Sequence, residues 1–84
     1  MIPKLASAEY VSGHTLHLKF ADGIEADVDL EEEMWGALFE PLKEPAAFRE
    51  FELDEELNTI TWLTGADFAP EFLYERARQR ADAA

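Results

Sequence analysis

Hydrophobic and polar residues alternate along two stretches in the first third of the chain. Residues 15–20 and 24–30 each carry an apolar side chain at every second position, which is typical of a strand with one buried face. Opposed residues of an antiparallel pair share a face, so Phe20 is expected opposite Ile24. The loop between them then has three residues and requires Gly23 to adopt a positive φ. The pattern therefore predicts a β-hairpin.

The same register predicts the polar face of this hairpin. Lys19 is expected across from Glu25, and His17 across from Asp27, as exposed pairs. His14 and His17 have a His-x-x-His spacing, which on a helix could bind a metal ion. On a strand, however, residues three positions apart point to opposite faces. We therefore expect two solvated histidines without a shared metal.

A weaker alternation precedes the hairpin. Residues 4–11 predict a further strand, which brings Ala6, Ala8 and Tyr10 to the apolar face if residues 11–13 form another three-residue loop. The first thirty residues then form a three-stranded meander.

The middle of the chain lacks a regular period. Residues 31–47 contain three successive glutamates and two prolines, which predict a short helical turn followed by an irregular loop. Residues 45–48 predict another short helical turn. Four apolar side chains of this segment are expected to cover the edge of the core: Trp35, Leu38, Phe39 and Leu42.

A second hairpin is expected over residues 51–62. Matching the inward faces places Leu53 opposite Ile60, with Thr59 on the outward face. The four-residue loop between the strands ends at Asn58, a residue type that tolerates a positive φ.

The last predicted element is a helix that begins near Asp67 or Ala69, with Pro70 in its first turn. Its apolar stripe consists of Phe68, Phe72, Leu73 and Ala77. Together the elements predict an α+β fold: a small antiparallel sheet, made of a three-stranded meander plus a second hairpin, with short helical turns and a C-terminal helix packed at the apolar face. One domain is expected over residues 1–84, ordered from about residue 4 to about residue 80.

Charge adds a second strong signal. The 84 residues carry 19 acidic and 7 basic side chains, a net charge of −12. Fourteen of the acids and only two of the bases lie in residues 22–56, whereas residues 76–84 hold three arginines and one aspartate. This balance argues against direct binding to nucleic acid or to anionic lipid. The absence of cysteine excludes disulfides and zinc–thiolate sites, and no apolar run reaches membrane-spanning length. We expect an acidic cytoplasmic domain.

Several short motifs resemble one bacterial family. They are Phe20-Ala21-Asp22-Gly23, Asp29-Leu30, Phe39-Glu40-Pro41-Leu42, Glu44-Pro45-Ala46-Ala47-Phe48 and, most specifically, the stretch from Ile60 to Tyr74. Together they are similar to the domain-of-unknown-function family 2442, from residue 4 to about residue 75. The resemblance implies an α+β fold and no established catalytic mechanism.

The resemblance also implies a partner. Some members of the family are fused to a helix-turn-helix DNA-binding domain, and others lie beside small partner genes in a toxin–antitoxin-like arrangement. The chain ends where such a fused domain would begin, so we expect it to meet its partner in trans.

Two functional hypotheses follow. The first is a non-enzymatic acidic interaction module, antitoxin-like or regulatory, that binds a basic protein partner and forms a homodimer. The acidic middle of the chain supplies Glu25, Asp27 and Asp29 for this purpose, and Trp35 and Tyr74 are the aromatic residues expected to remain exposed. No cofactor, membrane contact or direct nucleic-acid contact is expected.

The alternative is a small-molecule or metal-binding domain, or an accessory enzyme subunit, with a pocket near Trp62, Asp67 and Tyr74. Asp67 lies between the apolar residues Ala66 and Phe68, although a helix cap or a bond to the turn amides of residues 64–65 explains it better than a ligand does. The short chain without a converging polar cluster favours the interaction module.

Overall fold

The structure is a computed structural model that describes residues 2–82, without the side chain of Asp82. Within these residues the order of strands and helices is β1 (Leu5–Ser12), β2 (Thr15–Phe20), β3 (Glu25–Asp29), α1 (Pro45–Phe48), β4 (Glu52–Asp54), β5 (Thr59–Thr61) and α2 (Pro70–Asp82). Two 3₁₀ turns, Glu31–Glu33 and Glu40–Lys43, lie between β3 and α1. The α+β fold is confirmed, with the meander, the second hairpin and the C-terminal helix in the expected places.

β1, β2 and β3 form an antiparallel sheet in that spatial order. The β2–β3 register is the predicted one, with Lys19 across from Glu25 and His17 across from Asp27. Gly23 has a φ of 95°, and its N–H donates to the carbonyl of Phe20 at 3.0 Å. Because a left-handed glycine closes the three-residue loop, every apolar residue of β2 and β3 keeps to one face.

The β1–β2 connection differs from the prediction. Ser12 pairs with Thr15 around a two-residue loop, and the register shifts between Tyr10 and Ser12 and again between Leu5 and Ser7. Each shift inserts one unpaired residue into β1 and so changes which face the following side chains occupy. Ala8 and Tyr10 still reach the apolar face, but Ala6 is exposed and Leu5 takes its place in the core.

The hydrogen-bond alternation fixes which backbone groups face the two outer edges of the sheet. Phe20 donates to the carbonyl of Ile24, so even-numbered residues of β2 bond to β3 and odd-numbered ones to β1. The backbone groups of Asp27 therefore point away from β2 at the β3 edge. On the other side of the sheet, those of Ala8 and Tyr10 point outward at the β1 edge.

The second hairpin has Leu53 opposite Ile60, and Asn58 has a φ of 58°, both as predicted. Thr59 is buried rather than outward-facing, with 2% of its surface exposed. Its hydroxyl donates to the carbonyl of Phe68 at 2.5 Å, because the chain before α2 folds over this face of β5. The hydroxyl therefore makes a buried hydrogen bond that the alternating pattern did not indicate.

The segment between β3 and α1 covers the core with different residues from those predicted. Leu42 is buried and Phe39 is half-buried, but Trp35 and Leu38 are 75% and 51% exposed. Met34 occupies the core position instead. Adjacent side chains on a non-helical backbone point in different directions, so Met34 and Trp35 cannot both face the core.

α2 packs against β3 and buries Leu73 and Ala77. It begins at Pro70, so Asp67 lies before the helix rather than at its cap. The buried core contains residues from every strand except β4, from both α-helices and from the connecting segments. These residues are Leu5, Leu16, Leu18, Phe20, Val28, Leu30, Met34, Leu42, Phe48, Ile60, Trp62, Ala66, Phe68, Leu73 and Ala77. Over residues 2–82 no helix is both long and apolar enough to cross a membrane.

Candidate functional site

A row of three exposed carboxylates, hereafter the acidic row, runs along β3. Glu25, Asp27 and Asp29 occupy alternate positions, so their side chains share the polar face of the sheet. His17 lies across from them on β2, with Nδ1 at 2.7 Å from Asp27 Oδ1 and Nε2 at 3.1 Å from Glu25 Oε1. The predicted surface pair is thus confirmed and extends to a second carboxylate.

The two carboxylates change the titration of this histidine. The hydrogen bond to Asp27, followed by the one to Glu25, raises the pKa of His17 above its usual value. The protonated ring donates from both nitrogens, whereas the neutral ring donates from only one. His17 therefore partly neutralises the acidic row at a pH below its pKa.

The C-terminal arginines lie close to the acidic row. Arg80 Nε donates to the backbone carbonyl of Asp27 at 3.2 Å, and Arg76 pairs with Glu33 at 2.5 Å. Between α2 and β3 they border a surface cavity of about 310 Å³ that Asp29 and Glu32 also line. The fold thus brings the basic end of the chain against part of its acidic middle, which sequence separation alone did not indicate.

Most of the acidic charge remains unpaired. Of the fourteen acidic residues in 22–56, twelve are exposed and two are half-buried. Ion pairs within residues 2–82 engage four of them: Glu25, Asp27, Glu33 and Glu40. The other ten have no such partner among the described residues, so the middle of the fold presents a strongly negative surface.

A second feature, hereafter the aromatic groove, lies between the segment that follows the first 3₁₀ turn and the start of α2. It has a volume of about 390 Å³ and is lined by Glu33, Trp35, Phe39, Asp67, Phe68, Ala69 and Phe72. The Phe39 and Phe68 ring centroids are 5.1 Å apart, and Phe68 stacks on Phe72 at 5.4 Å. The groove brings together Trp35 and Asp67, two of the residues singled out from the sequence.

Two carboxylates border this groove, and they differ in whether they are paired. Glu33 is paired with Arg76, whose guanidinium carbon lies 5.1 Å from the centroid of the Phe72 ring. Asp67 is exposed, and within the described residues its side chain has neither a hydrogen bond nor an ion pair. Of the turn amides that it was expected to bind, that of Gly65 instead donates to the carbonyl of Trp62 at 3.0 Å.

Trp62 and Tyr74 lie in other surroundings. Trp62 is 5% exposed, and its indole N–H donates to the carbonyl of Phe48 at 2.8 Å. It lines a separate apolar groove of about 190 Å³ beside Leu63, whose side chain is 96% exposed. Trp62 and Asp67 thus border different grooves, and the Trp62 indole N–H is already satisfied by the protein.

Tyr74 is half-buried rather than exposed as predicted, because its ring packs edge-on against Phe20 at 5.0 Å. Its hydroxyl donates to Asp22 Oδ2, and Oδ1 of the same carboxylate accepts the N–H of Ile24. The Tyr74 bond lowers the pKa of Asp22, and in turn it raises the pKa of Tyr74. This contact ties the tip of the β2–β3 hairpin to α2.

Two polar residues proved more deeply involved in the fold than their sequence context indicated. Asn58 Oδ1 accepts the N–H of Leu5 at 2.7 Å, and its Nδ2 donates to the carbonyl of Pro3 at 3.0 Å. His14 is half-buried rather than solvated: its ring packs edge-on against Phe48, and Nε2 lies 3.0 Å from the carbonyl of Leu42. No local pattern signals such long-range contacts. Among residues 2–82, no cluster of three or more His, Cys, Asp or Glu side chains is arranged to hold a metal ion.

Comparison with known proteins gives one match. Residues 5–79 match the family described as "Protein of unknown function (DUF2442)". Neither a curated protein nor a solved structure gives a significant match. The match covers the meander, the second hairpin and most of α2, in agreement with the motifs between Phe20 and Tyr74. The chain therefore belongs to the family of unknown function DUF2442.

Proposed function

We propose that this chain is a non-enzymatic interaction module, antitoxin-like or regulatory, that binds a basic protein partner through the acidic row of β3. The observation that supports this most directly is the exposed negative surface of residues 22–56, to which the acidic row belongs; ten of its carboxylates, Asp29 among them, have no ion-pair partner within residues 2–82. A cytoplasmic location in a bacterium belongs to the same proposal.

The geometry of the acidic row suits a basic surface. Side chains two positions apart on a strand repeat at about 6.8 Å, so Glu25, Asp27 and Asp29 form a regular line of negative charge. Lysine and arginine side chains are long enough to meet such a line without close contact between the two backbones. The remaining negative charge steers a basic partner towards this face and raises the association rate, with a strong dependence on salt.

The test begins with partner identification. The tagged chain is purified from its native host, and a basic protein that accompanies it is produced separately for calorimetry. Binding is compared for wild type and for the double variant Asp27→Asn/Asp29→Asn, which keeps one acceptor oxygen on each side chain and removes two charges. The matched control, Glu55→Gln/Glu56→Gln, removes two charges from the β4–β5 loop, whose Asn58 contacts the opposite edge of the sheet.

We expect the acidic-row variant to bind the partner roughly tenfold more weakly, mainly through a slower association rate, and the control to stay within about twofold of wild type. Equal losses in the two variants would mean that total charge rather than the acidic row determines binding. A metabolite that raises the melting temperature, when no basic protein binds, would contradict the proposal and favour the small-molecule alternative.

A further inference from the structure

We propose that the aromatic groove binds the side chain of an arginine in an extended basic segment of a partner protein. This second site is distinct from the acidic row. The inference goes beyond the proposed function, because it names a side chain that the module recognises rather than a general preference for positive charge.

The walls of the groove are suited to a flat cation. Phe39, Phe68 and Phe72 present aromatic rings, and Trp35 stands beside them with 75% of its surface exposed. Aromatic faces carry negative potential and attract cations, and indole does so more strongly than phenyl. An exposed tryptophan beside a chain of packed phenylalanines is also costly to leave in water and is typical of a contact surface.

The protein already binds one arginine of its own in this way. The guanidinium of Arg76 lies over the Phe72 ring at 5.1 Å and pairs with Glu33 at one end of the groove. An aromatic face on one side and a carboxylate on the other therefore hold this guanidinium in place. The groove is also lined by a second ring and a second carboxylate that are both exposed, Trp35 and Asp67.

Asp67 is the groove carboxylate that can still accept a cation. It lines the groove, is exposed, and has no cation paired with it among residues 2–82. A guanidinium stacked on the exposed indole of Trp35 would give this carboxylate the ion pair that Glu33 has from Arg76. Arginine suits this position better than lysine because its planar fork stacks on aromatic faces and bonds a carboxylate through two N–H groups.

The charge of the groove argues against the other occupants. A neutral apolar segment would cover Asp67 without offering it a partner, which costs free energy. A second copy of the chain carries a net charge of −12, so its approach is opposed by like charge. A basic segment gains from both the rings and the carboxylate.

The test uses the two tryptophans as internal reporters. The ¹⁵N-labelled protein is titrated with a capped pentapeptide, Gly-Ser-Arg-Ser-Gly, at about 150 mM salt to screen long-range attraction. The Trp35 indole resonance is expected to shift in a saturable way. The Trp62 indole should stay in place because it is buried and bonded to Phe48.

Two further peptides separate shape from charge. Replacing the arginine by citrulline keeps the planar shape and removes the charge. Replacing it by lysine keeps the charge and removes the planar guanidinium group. We expect binding to be about tenfold weaker with citrulline and about fivefold weaker with lysine. Equal affinity for all three peptides, or an unmoved Trp35 resonance, would overturn the inference.

Variants then locate the site. Binding to the variants is measured from the backbone amide resonances of the groove. Asp67→Asn and Trp35→Ala should each weaken it about fivefold or more, whereas Glu71→Gln, an exposed carboxylate on the next turn, should change it by less than about twofold. Both groove positions are exposed, so the variants should keep the wild-type spectrum elsewhere. Equal losses in Asp67→Asn and Glu71→Gln would reduce the effect to general charge and contradict the site.

The acidic-row variant Asp27→Asn/Asp29→Asn separates this inference from the proposed function. It should leave peptide affinity within about twofold of wild type, since neither Asp27 nor Asp29 lines the groove and salt screens their charges. If it weakens the peptide as much as Asp67→Asn does, the groove is not the binding site, and the acidic row remains as the proposed surface.

Discussion

The two outer edges of the three-stranded sheet are protected in different ways. At the β3 edge, α2 packs alongside the strand, and Arg80 donates to the outward carbonyl of Asp27. At the β1 edge, a single side chain protects the backbone: Asn58 accepts the N–H of Leu5 and donates to the carbonyl of Pro3. β3 is thus covered by charged side chains from a helix, and β1 by one neutral amide.

The comparison shows where this small domain remains open. An unprotected strand edge offers free N–H and C=O groups to another chain. Asn58 covers only the start of β1, so the backbone of Ala8 and Tyr10 still faces outward. The β3 edge, by contrast, carries the helix and the acidic row, which repel a second copy. Each prediction below perturbs one edge and leaves the other unchanged.

The largest expected effect is self-association through β1. Two copies can pair antiparallel through the outward backbone groups of Ala8 and Tyr10. This pairing places the two Glu9 side chains, the only charged ones of residues 5–12, across from each other, and their repulsion weakens the dimer at low salt. The short open stretch predicts a dissociation constant of about 100 μM, equivalent to about 5.5 kcal/mol. Light scattering should give a mass that rises from one towards two chains with concentration, and more readily at high salt.

Ala8→Pro provides the control for this dimer. Proline removes an N–H that points away from β2, so the β1–β2 pairing survives while the edge loses a donor. The variant should stay at the mass of one chain at every concentration. A wild-type mass that remains that of one chain up to 1 mM, which is about ten times the expected constant, would rule out this interface.

The next effect concerns the side chain that protects the start of β1. Asn58→Ala removes two partly buried hydrogen bonds and places alanine at a φ of 58°, which predicts a loss of about 3 kcal/mol in the free energy of unfolding. Urea unfolding with an unchanged m-value measures it.

Asn58→Gly separates the two contributions. Glycine accepts the positive φ and loses only the hydrogen bonds, so about 2 kcal/mol should be lost. If alanine and glycine destabilise equally, backbone strain contributes nothing here, and if both are neutral, the amide does not hold β1.

The difference between the edges also explains how much of the fold could be predicted from the sequence. The alternation of apolar residues and the position of Gly23 were enough to predict the β2–β3 register, because both signals lie within the hairpin itself. The bonds of Asn58 join residues more than fifty positions apart, for which a single sequence has no signal. The bulges shift the register of β1 against β2 twice, and the weak alternation of β1 does not mark where they occur. Trp35 and Asp67 were recognised individually, but their meeting in one groove depends on the path of residues 31–44, where no periodicity constrains the chain.

A smaller effect is expected at the helix that covers β3. Arg76→Ala removes the pair with Glu33 and the contact with Phe72, which together predict a loss of about 1 kcal/mol. Arg78→Ala is the matched control, with the same charge change on the same helix, because its pair with Glu75 at 3.9 Å is exposed. We expect urea unfolding to place Arg78→Ala within about 0.3 kcal/mol of wild type. Equal losses would show that only the net charge of α2 matters.

The smallest expected effect is a pH-dependent loss of stability on the β3 side of the sheet. The carboxylates of Asp27 and Glu25 raise the pKa of His17 in the folded state above its unfolded value of about 6.5. A raised pKa stabilises the fold below the unfolded value, and the gain is lost as the pH rises through the folded value. His17→Gln should therefore lose about 0.5 kcal/mol more at about pH 5.5 than at about pH 8.5, a small figure because the pair is exposed.

Lys19→Gln is the control, because it removes a positive charge from the same face of the same strand and leaves the imidazole in place. The additional loss at low pH should be absent from this variant. The loss caused by Asn58→Gly should likewise not change with pH, because an amide does not titrate. A pH-independent loss for His17→Gln would mean that the imidazole contributes its neutral hydrogen bonds only. The two edges would then differ in the elements that cover them and not in their response to protons.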